Sequence, residues 1–346
     1  MSLPAARDPI LKMTTYIIRR ILVVIPVIIG VSFLSFFFVH MIPGDPVTTM
    51  LGVRARPQDI VQYKAQMGLD QPIYVQYIRY IEQLLKGNWG TSIFTRVPVA
   101  KDISYRLPAT IEAIFFALII GIVFGIGMGI LAALKRNTLI DTGASLVALT
   151  GVSMPIFWLA LILIYLFAVN LKVLPPGSRL DAELNIKYVT GFYTIDSLLM
   201  GRLDIFWNVI KHMILPSFVL STTVMPGIMR LTRASMLEVM QKDYIRTARA
   251  KGLRMGKVIM KHTLRNALLP VITVIGLEIS GLLGGAILTE NAFSWTGMGQ
   301  WFYNAITVRD YPIIQAAILL NAIIFIFMTM LIDISYAFID PRIRYQ

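Results

Sequence analysis

Ile21-Leu22-Val23-Val24-Ile25-Pro26-Val27-Ile28-Ile29-Gly30-Val31-Ser32-Phe33-Leu34-Ser35-Phe36-Phe37-Phe38-Val39 runs for nineteen residues without a charge. A helix rises about 1.5 Å per residue and the hydrocarbon layer of a bilayer is about 30 Å thick, so a segment of this length and composition crosses lipid. It is too long and continuous for a secretory signal, and no small-residue cleavage site follows it, so it stays as an anchor. The rest of the chain agrees. Of 346 residues, 56% are hydrophobic and 15% charged. The mean hydropathy is +0.70, more apolar surface than a soluble domain of this length buries.

Further spans are expected near 109–134, 142–169, 209–230, 271–289 and 313–332, after a first at 17–41. The expected fold is therefore all-α, a polytopic membrane protein of about six transmembrane helices. Its parts are a tail at 1–16, the first helix at 17–41, an outer region at 42–108, a five-helix domain at 109–335 with an inner loop at 231–268, and a tail at 336–346. Met13 opens the segment Met13-Thr14-Thr15-Tyr16-Ile17-Ile18-Arg19-Arg20. Either Met13 is the native start, or Met1 to Lys12 is a disordered extension.

The net charge of +13 is unevenly placed. The two tails, the loop with Lys135 and Arg136, and the stretch Arg230 to Arg265 hold eighteen basic and six acidic residues. The alternate loops and adjacent helix ends hold fourteen and twelve. Lysine and arginine collect on the cytoplasmic side, so both termini and the 231–268 loop are expected inside, with Met41 to Pro108 and Leu171 to Asn208 outside. Charges confined to loops between apolar helices speak for a membrane rather than nucleic acid as partner.

There is no cysteine, which excludes disulfides and thiolate chemistry. His40, His212 and His262 lie far apart and none has a second histidine or carboxylate at helical spacing, so they read as helix-end or loop residues and no metal site is expected. Gly121, Gly125 and Gly129 recur every four residues, as do Gly281 and Gly285, a spacing that lets helix backbones approach closely inside a bundle.

The inner loop carries the functional reading. In Gln241-Lys242-Asp243-Tyr244-Ile245-Arg246-Thr247-Ala248-Arg249-Ala250-Lys251-Gly252-Leu253, Asp243 suits a helix N-terminus, Arg249 and Lys251 suit its C-terminus, and Gly252 is placed just beyond the cap. Ile245, Ala248, Ala250 and Leu253 supply a shallow apolar surface. Such a helix either lies on lipid or enters a partner protein, and a stripe poor in bulky residues favours the partner.

On these residues the chain resembles a known family, the inner-membrane permease subunits of ABC importers in the dipeptide, oligopeptide and nickel group, and most of all their B-type subunits. The resemblance runs from Tyr16 to Arg344. It rests on Ile18-Arg19-Arg20, His40-Met41-Ile42-Pro43-Gly44-Asp45-Pro46, Ser153-Met154-Pro155-Ile156-Phe157-Trp158, the loop Asp243 to Leu253, and His262-Thr263-Leu264-Arg265-Asn266-Ala267-Leu268-Leu269-Pro270. Against the general permease loop motif, Arg246 and Thr247 replace Glu and Ala, Ala248 and Gly252 match, His262 replaces Ile, Leu264 matches and Arg265 replaces Pro, which is similar to the peptide-group variant. A second departure is Thr296, where the family usually has proline before Gly297 and Gly299; the two glycines still supply the conformations a turn needs. The resemblance implies the ABC importer permease fold and a transport role without catalysis. It implies an ATPase-coupling helix formed by Asp243, Tyr244, Arg246, Thr247, Ala248, Arg249, Ala250, Lys251, Gly252 and Leu253, whose small Ala248 and Ala250 would allow close approach to the ATPase. Implied partners are a second permease, two ATPase subunits that hold the ATP and magnesium, and an extracytoplasmic binding protein, with di- or oligopeptides as solute and nickel or another small solute as the alternative.

The chain has no phosphate-binding loop of its own. Gly252-Leu253-Arg254-Met255-Gly256-Lys257-Val258 has one residue too few between glycines and Val258 where Ser or Thr is required. No serine-hydrolase or zinc-protease signature is present. Glu278 is the one clear ionisable residue deep in an expected span; charged at mid-bilayer it costs about 3 kcal/mol, so it lines a polar translocation path or makes a structural polar contact. A self-contained ion-coupled carrier is the alternative reading, with Glu278 as its ion site, but neither broken helices nor internal repeats are legible. A membrane enzyme is the third, without a nucleophile or metal constellation.

Overall fold

The computed structural model describes residues 9–41, 46–52 and 55–339. All named elements among them are helical, and one isolated bridge joins Thr91 to Pro98. Helix α1 is Pro9–Met41, followed by three shorter helices, α2 Pro46–Leu51, α3 Pro57–Met67 and α4 Ile73–Leu85. Then come α5 Val99–Leu134, α6 Leu139–Ser153, α7 Ile156–Leu163 with a π-helical continuation Ile164–Asn170, and the short α8 Tyr193–Leu199. The second half holds α9 Leu203–Met240, α10 Asp243–Ala250, α11 Met255–Lys257, a π-helical turn Val258–Leu264, α12 Arg265–Ala292, α13 Met298–Val308 and α14 Tyr311–Ile339. Five helices among the described residues are long and apolar enough to cross a membrane, or six if the bent pair of α6 and α7 is one span.

Three expectations change. The first helix starts at Pro9, so part of the 1–16 tail is helix; Met1 to Asp8, Arg54 and the basic Arg342 and Arg344 lie outside the described residues. The expected fourth span, 209–230, lies inside a longer helix of 38 residues, about 57 Å at 1.5 Å per residue and nearly twice the hydrocarbon thickness. Most important, the expected third span is not one helix: α6 and α7 meet at 105°. Pro155 has no N–H to continue the ladder, and it forces Met154 to φ −84° and ψ 132°, an extended residue on which no helix continues. Broken helices are therefore present, although none is legible as such in the sequence.

The centre of the bundle is α5 against α9, with α12 across them. A methyl group added at Gly121 would lie 2.6 Å from Val224, at Gly125 2.9 Å from Ile228, and at Gly129 2.6 Å from Thr232, so only glycine allows this approach. The four-residue glycine repeat thus packs helices inside the bundle. A methyl group added at Gly281, by contrast, would meet none of the described residues within 4 Å. Helix α1 stands apart from this core and packs along α14.

Candidate functional site

Helix α10 lies at the end of the bundle that the C-terminus of α9 reaches. Lys242 enters it extended, at φ −69° and ψ 146°, and Asp243 sits in the first turn. Ile245 and Ala248, three residues apart, turn inward and are buried with Val258, packing on Val239 and Leu253. The Asn266 amide donates to the Tyr244 hydroxyl at 3.1 Å, which ties the helix to the start of α12. Tyr244, Arg246, Thr247, Arg249, Ala250 and Lys251 are exposed. Ala248, expected to leave room for a partner, faces the chain's own core instead, because the i, i+3 pair with Ile245 is the only apolar side the octapeptide has.

The end of α10 is a Schellman cap. Gly252 has φ +72°, the Gly252 N–H donates to Arg249 O at 2.9 Å, and the Leu253 N–H donates to Ala248 O at 3.4 Å. Leu253 then folds back onto the Ile245, Ala248 and Val258 cluster. The result is a short cationic knob fixed at one end to α9 and at the other to α12.

Glu278 is half-buried on α12. Its carboxylate lies over Gly227 of α9, where an added methyl would come 2.8 Å from Oε1. The field of Arg230, three residues further along α9, reaches it, and among the described residues it has no hydrogen-bond partner. It is thus remote from α10 and sits in a seam between two central helices.

About the N-terminal halves of α5 and α9, at the other end of the bundle from α10, lie polar clusters that sequence reasoning missed. Glu112, inside the second expected span, is buried and accepts from Arg179 Nη2 at 2.8 Å and from the Thr194 N–H and hydroxyl at 2.8 and 2.6 Å. Arg179 also donates to Gly191 O at 2.9 Å and lies 3.6 Å over the Tyr193 ring. Asp196 accepts from the backbone N–H groups of Val189, Thr190 and Gly191 and from the Thr190 hydroxyl. Burial pushes its carboxyl up, yet those four donors outweigh it and hold the group below the usual carboxylate range. Together these bonds clamp the loop 178–199 onto α5. His212 is no helix-end residue: buried in α9, it bonds Gly177 O at 2.7 Å and Asp181 at 3.0 Å.

Glu290 closes a second cluster. It accepts from the Thr110 hydroxyl at 2.5 Å and from the N–H groups of Gly299 and Gln300, at the start of α13, at 2.7 and 3.0 Å. Gly297 has an extended φ of −101°, and the left-handed residue of this turn is Ser294 at φ +50°. The two glycines are needed for space: a side chain at Gly297 would strike the Glu290 carboxylate, and one at Gly299 would lie 2.6 Å from Ile287 Cα. Asp310 accepts from Ser92 Oγ at 2.5 Å and the Ile93 N–H at 3.2 Å, holding the 91–98 turn. Beside it opens a cleft of about 450 Å³ lined by Asp102, Arg106, Asn304 and Thr307 among others. Glu112 is visible in the sequence as a charge within an apolar run, but its partners lie 67 and 82 residues away.

Comparison with known proteins agrees with this architecture. Residues 121–345 match the family described as binding-protein-dependent transport system inner membrane component, and residues 13–113 match its N-terminal companion. The chain is 47% identical to the dipeptide transport system permease protein DppB of Alkalihalophilus pseudofirmus and 46% identical to that of Escherichia coli K12, in each case over 96% of this chain and all of the relative. It is 39% identical, with the same coverage, to the oligopeptide transport system permease protein AppB of Bacillus subtilis.

Proposed function

Because the chain belongs to the binding-protein-dependent transport system inner membrane component family, as a multi-pass transport subunit rather than an enzyme, we propose that it forms half of the translocation path of an ATP-driven peptide importer. The solute is a di- or oligopeptide, in keeping with the relatives' names. A second permease completes the path, two ATPase subunits bind the ATP and magnesium, and an extracytoplasmic protein delivers solute to the outer face. Both termini and α10 face the cytoplasm, which the charge asymmetry supports.

The observation that carries the coupling role is the construction of α10. Its cationic side is exposed, while Ile245 and Ala248 root it in the chain's own core. In this reading the knob sits in a cleft of the ATPase subunit, and Arg246 and Arg249 steer it there against acidic groups. When the ATPases close, displacement of α10 passes through Val239 to α9 and through Tyr244 and Asn266 to α12. Since α5 and α9 are in close contact along three glycines, they move as one body, and the seam occupied by Glu278 changes width.

The test is reconstitution of the chain with the second permease, the ATPase subunits and the binding protein in vesicles, and measurement of labelled dipeptide uptake. Uptake is expected to require ATP hydrolysis and the binding protein. Uptake that continues without the ATPase subunits and follows a proton gradient overturns the proposal.

A further inference from the structure

The outer helix α4 is amphipathic in three directions. Gln76, Tyr77 and Tyr80 face the outer turns of α1. The Tyr77 ring lies 5.5 Å from that of Phe33 and 5.4 Å from that of Phe36, and its hydroxyl is 3.1 Å from Ser32 Oγ. Gln76 meets His40 at 3.1 Å, and the Tyr80 ring is 5.7 Å from Phe36. A second side holds Arg79, Glu82 and Lys86, at spacings of three and four, with Glu82 and Lys86 paired at 2.6 Å. The third side, at spacings of four, three and four, is Tyr74, Ile78, Ile81 and Leu85. Among the described residues nothing covers most of it: Tyr74 is 65% exposed, Ile78 62% and Leu85 85%.

Depth identifies the occupant. Phe33, Phe36 and Ser32 belong to the charge-free segment that ends at Val39, and Ser32 lies about 12 Å along the helix axis from His40 at 1.5 Å per residue. A helix that touches α1 from Ser32 to His40 occupies the outer half of the hydrocarbon layer and its boundary, where an uncovered apolar side meets acyl chains and charged side chains reach the headgroups. We propose that α4 is an interfacial helix whose Tyr74, Ile78, Ile81 and Leu85 side is embedded in the outer leaflet, so that lipid braces the first span and the outer region together.

This chain has no cysteine, so a single label can be placed on it in an importer whose other subunits have had their cysteines replaced. Single variants Ile78→Cys, Leu85→Cys and Glu82→Cys are labelled with a nitroxide in the complete importer, reconstituted into phosphatidylethanolamine and phosphatidylglycerol bilayers. Collision with oxygen, which partitions into lipid, is compared with collision with a water-soluble nickel chelate. Labels at 78 and 85 are expected to favour oxygen severalfold and the label at 82 the chelate. Chelate access at 78 and 85 equal to that at 82 places the helix outside the bilayer and overturns the proposal. Protection of 78 and 85 from both reagents means a protein subunit covers them and overturns it equally.

Discussion

Gly252→Val isolates the backbone geometry of the α10 cap. At φ +72° an L-residue suffers roughly 1–2 kcal/mol of strain, with a β-branched side chain at the upper end. None of the described residues comes within 4 Å of the position its Cβ would take, so no clash with them adds to this. The alternative is to abandon the left-handed conformation, which gives up the bonds from Gly252 N–H to Arg249 O and from Leu253 N–H to Ala248 O, at about 0.5–1.5 kcal/mol each. The two routes cost about the same, so the correctly capped knob loses about 1–2 kcal/mol, a factor of roughly 5–30 in population. Asparagine tolerates this conformation better than other side chains, so Gly252→Asn should keep most of the coupling. The assay is peptide-stimulated ATP hydrolysis and retention of the ATPase subunits in the reconstituted importer, expected in the order Gly, Asn, Ala, Val. Normal coupling with valine refutes the argument. So does an asparagine variant as impaired as valine, because bulk at a crowded partner surface, and not backbone strain, would then be the cause.

Two further outcomes concern the 178–199 loop. Glu112→Ala strands Arg179, whose side chain is 3% exposed, and loss of one partner from such a buried pair costs about 3–5 kcal/mol. Amide hydrogen exchange at 189–194 should accelerate by about two to four orders of magnitude, and Glu112→Gln combined with Arg179→Met should recover much of the protection; unchanged exchange in Glu112→Ala removes the clamp from the account. Asp196 has a depressed folded pKa, so its unfolded form binds more protons and its contribution is complete above an unfolded value of about 3.9 and lost as pH falls through the folded value. Protection of Val189 to Gly191, corrected for intrinsic exchange, should therefore fall on acidification below about pH 4, and Asp196→Asn should abolish that pH dependence.

What the sequence by itself determined follows from local physics. The charge-free run Ile21 to Val39 needs only its own length and composition to specify a span, and the left-handed Gly252 was legible because a glycine two residues past a helical octapeptide has one common use. The Gly121, Gly125 and Gly129 repeat likewise announced close helix packing before its partners were known. The bend at Met154 was also written locally, in Pro155, yet an unbroken apolar composition on both sides hid it.

The tertiary structure alone decided which side of each element faces inward. Ala248 turned from an expected contact with another protein into a root of α10, because Val258 and Leu253 return to cover it only after the chain has reversed at Gly252. Glu112 found Arg179 and Thr194, and Glu290 found Thr110, through loops of 67 to 180 residues. A buried charge announces that it needs a partner, because leaving it unpaired in a low-dielectric interior is costly. Which residue answers depends on the path of the backbone through three dimensions, and no local pattern encodes that.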